Sequence, residues 1–155
     1  MRVHGQPYRT IFVADDGFTV AVIDQTRLPF AFELQHLQTV EQTAAAISDM
    51  VVRGAPLIGV TAAYGVALAM RVDPSEAGLE RAVALLGATR PTAVNLRWAL
   101  ARMRDVLMAH VPGLRTRLAY EEAGRIAAED VAACAAIGRH GMGLLEQIHA
   151  RRGGD

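Results

Sequence analysis

The stretch Asp49-Met50-Val51-Val52-Arg53-Gly54-Ala55-Pro56 decides how this chain is organised. An apolar segment ends at Arg53, a glycine interrupts the pattern, and Pro56 falls in the predicted first turn of a new helix, where its missing N–H has no intrahelical partner to lose. Glycine lets the backbone approach a ligand closely. The free amides and positive dipole end of a helix start suit an anion, and the arginine guanidinium suits phosphate. The stretch therefore predicts a phosphate cradle.

The bulk composition predicts a globular domain. The chain has 155 residues, of which 52% are hydrophobic and 21% charged, so it can bury one core. Its formal net charge of zero argues against partners bound through bulk charge, and we expect neither nucleic acid nor membrane as a partner. The first residues lack the apolar run of a signal peptide, and the apolar stretch 56–70 is shorter than a membrane span. We therefore expect a cytoplasmic protein.

Several residue types used in catalysis are rare or absent. The sequence contains no lysine, which excludes Schiff-base chemistry on a lysine, and Cys134 is the single cysteine, which excludes an internal disulfide and a multi-cysteine zinc site. The two serines, Ser48 and Ser75, lie in or at the start of predicted helices and do not suggest a nucleophile. The five histidines lack metal-ligand spacing; they are His4, His36, His110, His140 and His149. No metal or cofactor is predicted.

Strands are predicted only near the start of the chain. Apolar runs at residues 10–13 and 18–23 flank Asp15-Asp16-Gly17, and Asp-Gly is a strong tight-turn signal. Alternation of apolar residues at positions 30–34 predicts a short third strand, and the strands are expected to end near Leu37.

Helical periodicity predicts helices over the rest of the chain. A capping box at Thr39 and Gln42 begins the first helix, and the second, from about Ala55 to Arg71, is rich enough in small residues to be a central helix. A third helix is expected after Asp73-Pro74, a fourth at Pro91, and a long helical stretch from near Thr116, which Gly138, Gly141 and Gly143 are expected to divide in two. Tyr64, Trp98 and Cys134 are expected in the core.

Together these patterns predict an α+β fold with three parts. Residues 1–38 form a short antiparallel β-meander that packs on the helices, residues 39–150 form an all-helical bundle domain, and residues 151–155 begin a linker.

Several blocks in order along the chain resemble the methylthioribose-1-phosphate isomerase family, aldose–ketose isomerases of methionine salvage. The block that carries the resemblance best is Val51-Val52-Arg53-Gly54-Ala55-Pro56-Leu57-Ile58-Gly59. The others are Val22-Ile23-Asp24-Gln25-Thr26-Arg27-Leu28-Pro29, Arg90-Pro91-Thr92-Ala93-Val94-Asn95-Leu96, Glu129-Asp130 and Gly138-Arg139-His140-Gly141. The wider group includes ribose-1,5-bisphosphate isomerases and the regulatory subunits of translation initiation factor 2B.

The resemblance implies a division of labour with a part that these 155 residues lack. In the family a Rossmann-like domain follows the helical one and carries a catalytic cysteine and aspartate, and the whole enzyme is a homodimer. Cys134 does not match that cysteine, so no catalytic residue is assigned here, and the chain alone is expected to be an inactive fragment. That fragment would expose an apolar surface where the second domain docks, and we expect it to associate or to be poorly soluble.

The resemblance also assigns the predicted site residue by residue. The Arg-Gly-Ala of the family, which binds substrate phosphate, falls on Arg53, Gly54 and Ala55, and the arginine of its Arg-Pro-Thr motif falls on Arg90. Asn95 is a second-tier candidate one turn into the next helix. Without the family, Arg-Gly-Ala-Pro is more often a plain helix-start turn, and Glu129-Asp130 is most simply a pair of surface or interhelix contacts.

Three functions follow as alternatives. The first is the N-terminal domain of an isomerase that converts 5-methylthioribose 1-phosphate to 5-methylthioribulose 1-phosphate. The second is a ribose-1,5-bisphosphate isomerase-type enzyme acting on a related sugar phosphate. The third is a non-catalytic module like the initiation factor 2B subunits, against which retention of both arginine motifs weighs.

Overall fold

The computed structural model describes residues 2–3 and 5–152, and it begins with short strands. They are β1 (Arg2–Val3), β2 (Gln6–Pro7), β3 (Ile11–Val13), β4 (Val20–Ile23) and β5 (Leu34–Leu37). The helices follow as α1 (Val40–Ser48), α2 (Ala55–Val72), α3 (Glu76–Thr89), α4 (Val94–Met108) and α5 (Pro112–Arg152). This order confirms the α+β fold, with a β-meander before a helical bundle. The three-part domain division stays a prediction.

The main sheet is an antiparallel meander with β4 in the middle. β4 pairs with β3 through Ile11 opposite Val22, and with β5 through Ile23 opposite Leu34. All four residues of β4 are buried. The predicted hairpin is confirmed, and its turn is fixed by the Asp16 carboxylate, which accepts hydrogen bonds from the amides of Phe18 (2.9 Å) and Thr19 (2.8 Å).

The third strand begins later than the alternation predicted. Only Leu34 of residues 30–34 belongs to β5. The Asp24 carboxylate accepts from the Thr26 amide, and the Arg27 carbonyl then accepts from the amides of Phe30 and Ala31, so turns occupy the segment. The local hydrogen bonds of side chains and turns therefore keep this segment out of the sheet, although its alternating apolar residues predicted a strand.

α2 is the central helix, as predicted, and close packing requires glycine at two of its positions. A Cβ on Gly59 would lie 2.8 Å from the Asn95 carbonyl oxygen of α4, and a Cβ on Gly65 would lie 2.8 Å from Thr43 Cγ2 of α1. α2 is also long and apolar enough to cross a membrane, but 67% of that span is buried within the protein. It is the core of the bundle.

Pairs of contacts along the helices give their directions. Gly65 of α2 faces Leu86 of α3, and Gly59 of α2 faces Asn95 of α4. Thr116 near the start of α5 donates to the carbonyl of Met70 near the end of α2. α2 and α4 therefore meet near their first turns, and α5 runs antiparallel to α2. The N-termini of α2 and α4 lie at one end of the bundle. The end of α3 and the middle of α5 lie at this same end.

Side-chain contacts join the β-hairpin to the bundle. The Arg71 guanidinium lies 3.7 Å from the Phe18 ring centroid, and the Tyr120 hydroxyl donates to the Phe18 carbonyl at 2.9 Å. Burial raises the pKa of the Tyr120 hydroxyl to about 12, so it stays protonated as a donor at neutral pH.

Several helix predictions need correction. α4 begins at Val94 and not at Pro91, because residues 91–93 form a turn with the Ala93 amide bonded to the Arg90 carbonyl. α5 is continuous from Pro112 through its glycines to Arg152, because a single glycine costs a helix only about 1 kcal/mol. Arg151 and Arg152 are therefore helical and not linker, while residues 153–155 lie outside the described residues, as does His4.

Two residues expected in the core are exposed. Trp98 is 50% exposed, and Cys134 also lies on the surface. Cys134 is exposed because the second half of α5 has no partner helix among the described elements, and Trp98 is exposed because the face of α4 that carries it is only partly covered. Tyr64 is buried, as expected.

Candidate functional site

The Arg53-Gly54-Ala55 segment forms the tight connection from α1 to α2. Met50 (φ 59°) and Gly54 (φ 91°) have positive φ, so the chain reverses within a few residues. Gly54 is the N-cap of α2 and provides no side-chain hydrogen bond to the helix. The first-turn amides of Ala55 and Leu57 consequently face outward without an intrahelical acceptor. The segment is the helix start that the sequence predicted.

Arg53 is exposed at this helix start. Its Nε–H donates to the carbonyl of Met50 at 3.3 Å, which leaves the terminal guanidinium nitrogens available to an anion. Within the described part of the chain it forms no ion pair with Asp49, although the two residues are four apart.

Arg90 lies at the same end of the bundle but in a different setting. It is the C-cap of α3, not the first residue of α4. A helix C-terminus favours a cation, so its position also has a purely structural explanation. Among the described residues its guanidinium has no hydrogen-bonding or ionic partner. Within the described residues the structure shows no contact between Arg90 and Arg53.

Asn95 lies beside the start of α2, where a cleft of about 230 Å³ separates α2, α4 and α5. We call it the interhelix cleft. Pro56 and Val60 line it from α2, Asn95 and Trp98 from α4, and Ile126, Glu129 and Asp130 from α5. The second-tier candidate Asn95 thus lines a cleft beside the start of α2.

A second cleft of about 230 Å³ adjoins the interhelix cleft between α2, α5 and the strands, and the two clefts share Val60 and Asp130. Arg9 and Ile11 contribute to it from the β unit, Leu57 from α2, and Asp130 from α5. Asp130 is common to both clefts and is half-buried, and within the described residues its carboxylate has no partner. The sequence interpretation of Asp130 as a helix contact missed this position.

An ion-pair network closes one side of the interhelix cleft. Arg102 donates to Glu122 at 2.6 Å and to both oxygens of Glu129, at 2.6 and 2.7 Å. The same guanidinium lies 5.4 Å from the Trp98 ring centroid. The two hydrogen bonds from Arg102 hold the pKa of the Glu129 carboxyl below its usual range, so Glu129 is ionised and its charge is compensated. The interhelix-contact interpretation of Glu129 is confirmed.

A larger cavity than these two clefts lies away from the predicted site residues. A groove of about 700 Å³ is lined by Val40 of α1, Leu68 and Val72 of α2, and Arg81 and Leu85 of α3. Leu68 is fourteen residues beyond Gly54, or about 20 Å along a helix rising 1.5 Å per residue. Its size alone does not connect it with the predicted site.

The start of α2 presents outward amides and an exposed guanidinium, which are the groups that favour an anion. Nowhere in residues 2–3 and 5–152 do three His, Cys, Asp or Glu side chains lie close enough to hold a metal ion. Cys134 is exposed among alanines on α5.

Four of the five blocks that carry the family resemblance lie around the start of α2, while the fifth, residues 138–141, lies farther along α5 where no residue is buried. The Gln25 amide donates to the Val51 carbonyl at 2.9 Å, which joins the block after β4 to the Arg53 loop. Gly59 packs on Asn95, and Asp130 lines the cleft beside them. Residues far apart in sequence thus surround the start of α2.

Comparison with known proteins gives a consistent picture. Residues 51–150 match the model of the initiation factor 2 subunit family. The methylthioribose-1-phosphate isomerase of Methylobacterium nodulans is 62% identical over 151 residues, which cover 97% of this chain and 42% of that protein. The chain therefore spans about 42% of the length of this relative.

Two solved structures share the fold. The crystal structure of 5-methylthioribose 1-phosphate isomerase from Pyrococcus horikoshii superposes with a TM-score of 0.73 at 39% identity, covering 79% of this chain and 36% of that one. The translation initiation factor eIF-2B subunit delta from A. fulgidus gives the same TM-score of 0.73 and 39% identity, covering 81% of this chain and 38% of that one.

Proposed function

The chain belongs to the initiation factor 2 subunit family, and from that membership we propose that it is the substrate-binding part of a methylthioribose-1-phosphate isomerase. In this proposal Arg53, Gly54 and Ala55, with Arg90, bind the phosphate of 5-methylthioribose 1-phosphate. The observation that carries the proposal is the 62% identity to an isomerase of that name over 97% of the chain. A cytoplasmic location and a homodimeric whole enzyme go with it.

The start of α2 supports phosphate binding by its chemistry. Two outward amides, the positive end of an 18-residue helix and the free nitrogens of Arg53 occupy one small region. The aldose–ketose conversion moves hydrogen between C1 and C2 of the sugar. Holding the neighbouring phosphate would fix those carbons relative to groups supplied from elsewhere, which is a proximity contribution. This chain by itself is proposed to bind and not to catalyse.

A non-catalytic role is the second candidate. The A. fulgidus initiation factor subunit superposes as well as the P. horikoshii isomerase, with a TM-score of 0.73 in both cases. Isomerases and initiation factor subunits therefore share this fold. Measuring whether the chain binds a sugar phosphate is what distinguishes the two candidate functions. A ribose-1,5-bisphosphate isomerase-type activity is the other alternative, and the choice of substrate decides it.

Calorimetric titration of the 155-residue chain with 5-methylthioribose 1-phosphate and with inorganic phosphate tests the proposal. Arg53→Ala is expected to weaken binding of both ligands roughly 10- to 100-fold, since a hydrogen bond to a charged group contributes about 1.5–3 kcal/mol. Arg90→Ala is expected to weaken both in the same direction.

Arg81→Ala is the matched control. Arg81 is an exposed arginine of α3 that pairs with Asp73, the residue that follows the C-terminal end of α2. It should leave both affinities unchanged. Parental affinity retained in Arg53→Ala would show that the phosphate binds elsewhere. A parent that binds neither ligand at millimolar concentration would contradict binding by this chain and favour the non-catalytic candidate.

A further inference from the structure

Two apolar surfaces of this chain have no partner among the described residues, and the first is the groove of about 700 Å³ between α1, α2 and α3. We call it the apolar groove. It is lined mainly by aliphatic side chains, and two of them are open to solvent, Val72 at 85% and Leu85 at 40% exposure. A concave apolar surface of this size is typical of a site that a partner covers.

The second surface is an apolar stripe on the part of α5 that extends past the bundle. Ile137, Leu144 and Ile148 follow one another at spacings of seven and four residues, which places them on one face of the helix. We call these three residues the α5 stripe, and their side chains are 71%, 62% and 48% exposed. Gly141 lies on the same face with nothing within 4 Å of a would-be Cβ, so another helix can approach closely there.

The apolar groove and the α5 stripe cannot meet within one chain. Thr116 of α5 donates to the carbonyl of Met70, which places the start of α5 beside the end of α2 that lines the groove. α5 then runs away from the groove as one helix, so Ile137 lies about 30 Å further along it at 1.5 Å per residue. The groove of one copy is therefore open to the stripe of another copy.

The two surfaces match in shape and in charge. A groove between helices accepts the apolar face of a single helix, whose anchoring side chains lie three, four and seven residues apart. Arg151 continues the α5 stripe three residues after Ile148, and Glu41 lies on the α1 wall of the apolar groove. Both charged side chains are exposed, and within the described part of the chain neither forms an ion pair. They are therefore free to pair with each other across a contact between copies.

We propose that the apolar groove binds the α5 stripe of a second copy of this chain. Leu144 and Ile148 enter between α2 and α3 of the receiving copy, and Arg151 lies beside its Glu41. Each copy has one groove and one stripe, so copies associate either by reciprocal exchange in a dimer or as an open chain. The contact lies far from the start of α2 and does not depend on phosphate binding there.

Mixing two complementary variants tests the proposal by sedimentation velocity. The groove variant carries Val72→Gln with Leu85→Gln, and the stripe variant carries Leu144→Gln with Ile148→Gln. Each variant alone should associate about tenfold more weakly than the parent, or worse, because the contact then buries fewer apolar groups. An equimolar mixture should form a one-to-one complex, since one variant keeps an intact stripe and the other an intact groove. All four side chains are exposed, so circular dichroism should show an unchanged fold.

Val94→Gln and Met142→Gln are the matched controls. Val94 is 66% exposed at the start of α4, at the opposite end of the bundle from the groove, and Met142 is 56% exposed on a different face of α5 from the stripe. Both variants should associate as the parent does. Arg53→Ala should also associate like the parent, which separates this contact from the proposed function.

Charge reversal tests the position of Arg151 in the contact. Arg151→Glu and Glu41→Arg should each weaken association several-fold, because like charges then face each other. The double variant should recover the parental association, since the pair is restored with its signs exchanged. A double variant that associates no better than either single variant would remove this ion pair from the contact.

Four outcomes would overturn the proposal. A parent that stays monomeric would show that the two surfaces do not bind each other. A groove variant that associates like the parent would show that stripes pair with stripes, and a stripe variant that does so would show that grooves pair with grooves. Two variants that each lose association and also fail to combine in the mixture would show that the groove and the stripe are not partners.

Discussion

Single backbone positions decide the shape of the candidate site. Gly54 has φ 91° and ψ 132°, a conformation that side-chain-bearing residues rarely adopt, and it is the N-cap of α2. Its open surroundings, with nothing within 4 Å of a would-be Cβ, mean that the glycine is needed for conformation and not for space. The backbone of this residue therefore sets the direction in which the α2 amides point.

Gly54→Ala is expected to destabilise the fold by about 1–3 kcal/mol, because alanine must be held in a sparsely populated conformation. Urea denaturation followed by circular dichroism measures the change. Gly138→Ala makes the same chemical change inside α5, also with nothing within 4 Å, and should stabilise by about 0.5–1 kcal/mol. Equal effects at the two positions would contradict the assignment of strain to Gly54.

At the scale of elements, α4 and α5 are joined by charges on top of apolar packing. Glu122 is a nearly buried carboxylate with a 4% exposed side chain, and Arg102 reaches it across the helix interface. Arg125 contacts the same carboxylate from one turn along α5. The buried Arg115 near the start of α5 also donates hydrogen bonds to the carbonyls of Leu107 and His110, both at 2.9 Å. The Arg102 contacts hold α5 against α4 near the interhelix cleft, and the Arg115 contacts join the start of α5 to the end of α4.

Arg102→Ala is expected to lower the free energy of unfolding by about 3 kcal/mol, since it leaves a buried carboxylate with one partner fewer. Chemical denaturation gives the value. Arg117→Ala is the matched control, because its pair with Glu121 is an exposed i,i+4 contact worth about 0.3–0.5 kcal/mol. A loss for Arg102→Ala no larger than this control would show that the network adds little to stability.

At the scale of the whole molecule, α5 extends well past the bundle. Its 41 residues correspond to about 60 Å of helix. From Ala128 to Arg151 no residue is buried, and large apolar side chains on this segment are exposed, including Ile137 (71%), Leu144 (62%) and Leu145 (62%). An isolated chain with such a surface is prone to association.

We expect the 155-residue chain to self-associate through this part of α5, as the sequence predicted from an uncovered apolar surface. Sedimentation velocity over a range of concentrations should show association, and Leu144→Gln combined with Leu145→Gln should shift it towards monomer. Phe30→Gln removes an apolar side chain that is 95% exposed but isolated on a loop, and should have no effect. A parent that is monomeric at all concentrations would refute the prediction.

The sequence by itself determined the elements whose signals are local. The Asp-Gly turn, the Thr39 cap and the small residues of α2 act within a few residues of themselves, so the hairpin, the start of α1 and the central helix could all be predicted. Arg53-Gly54-Ala55 was placed at a helix start for the same reason. The α+β fold followed from the order of these signals along the chain.

Only the tertiary structure decided which of these residues meet. Arg90 was predicted at a helix start and lies instead at the end of α3, because the turn after Pro91 is fixed by its own hydrogen bonds. Trp98 was expected in the core and lies at a cleft, because burial depends on whether another helix covers a face, and periodicity cannot show that. Asp130 gained its position between two clefts from the antiparallel packing of α5 on α2, a contact between residues about seventy positions apart.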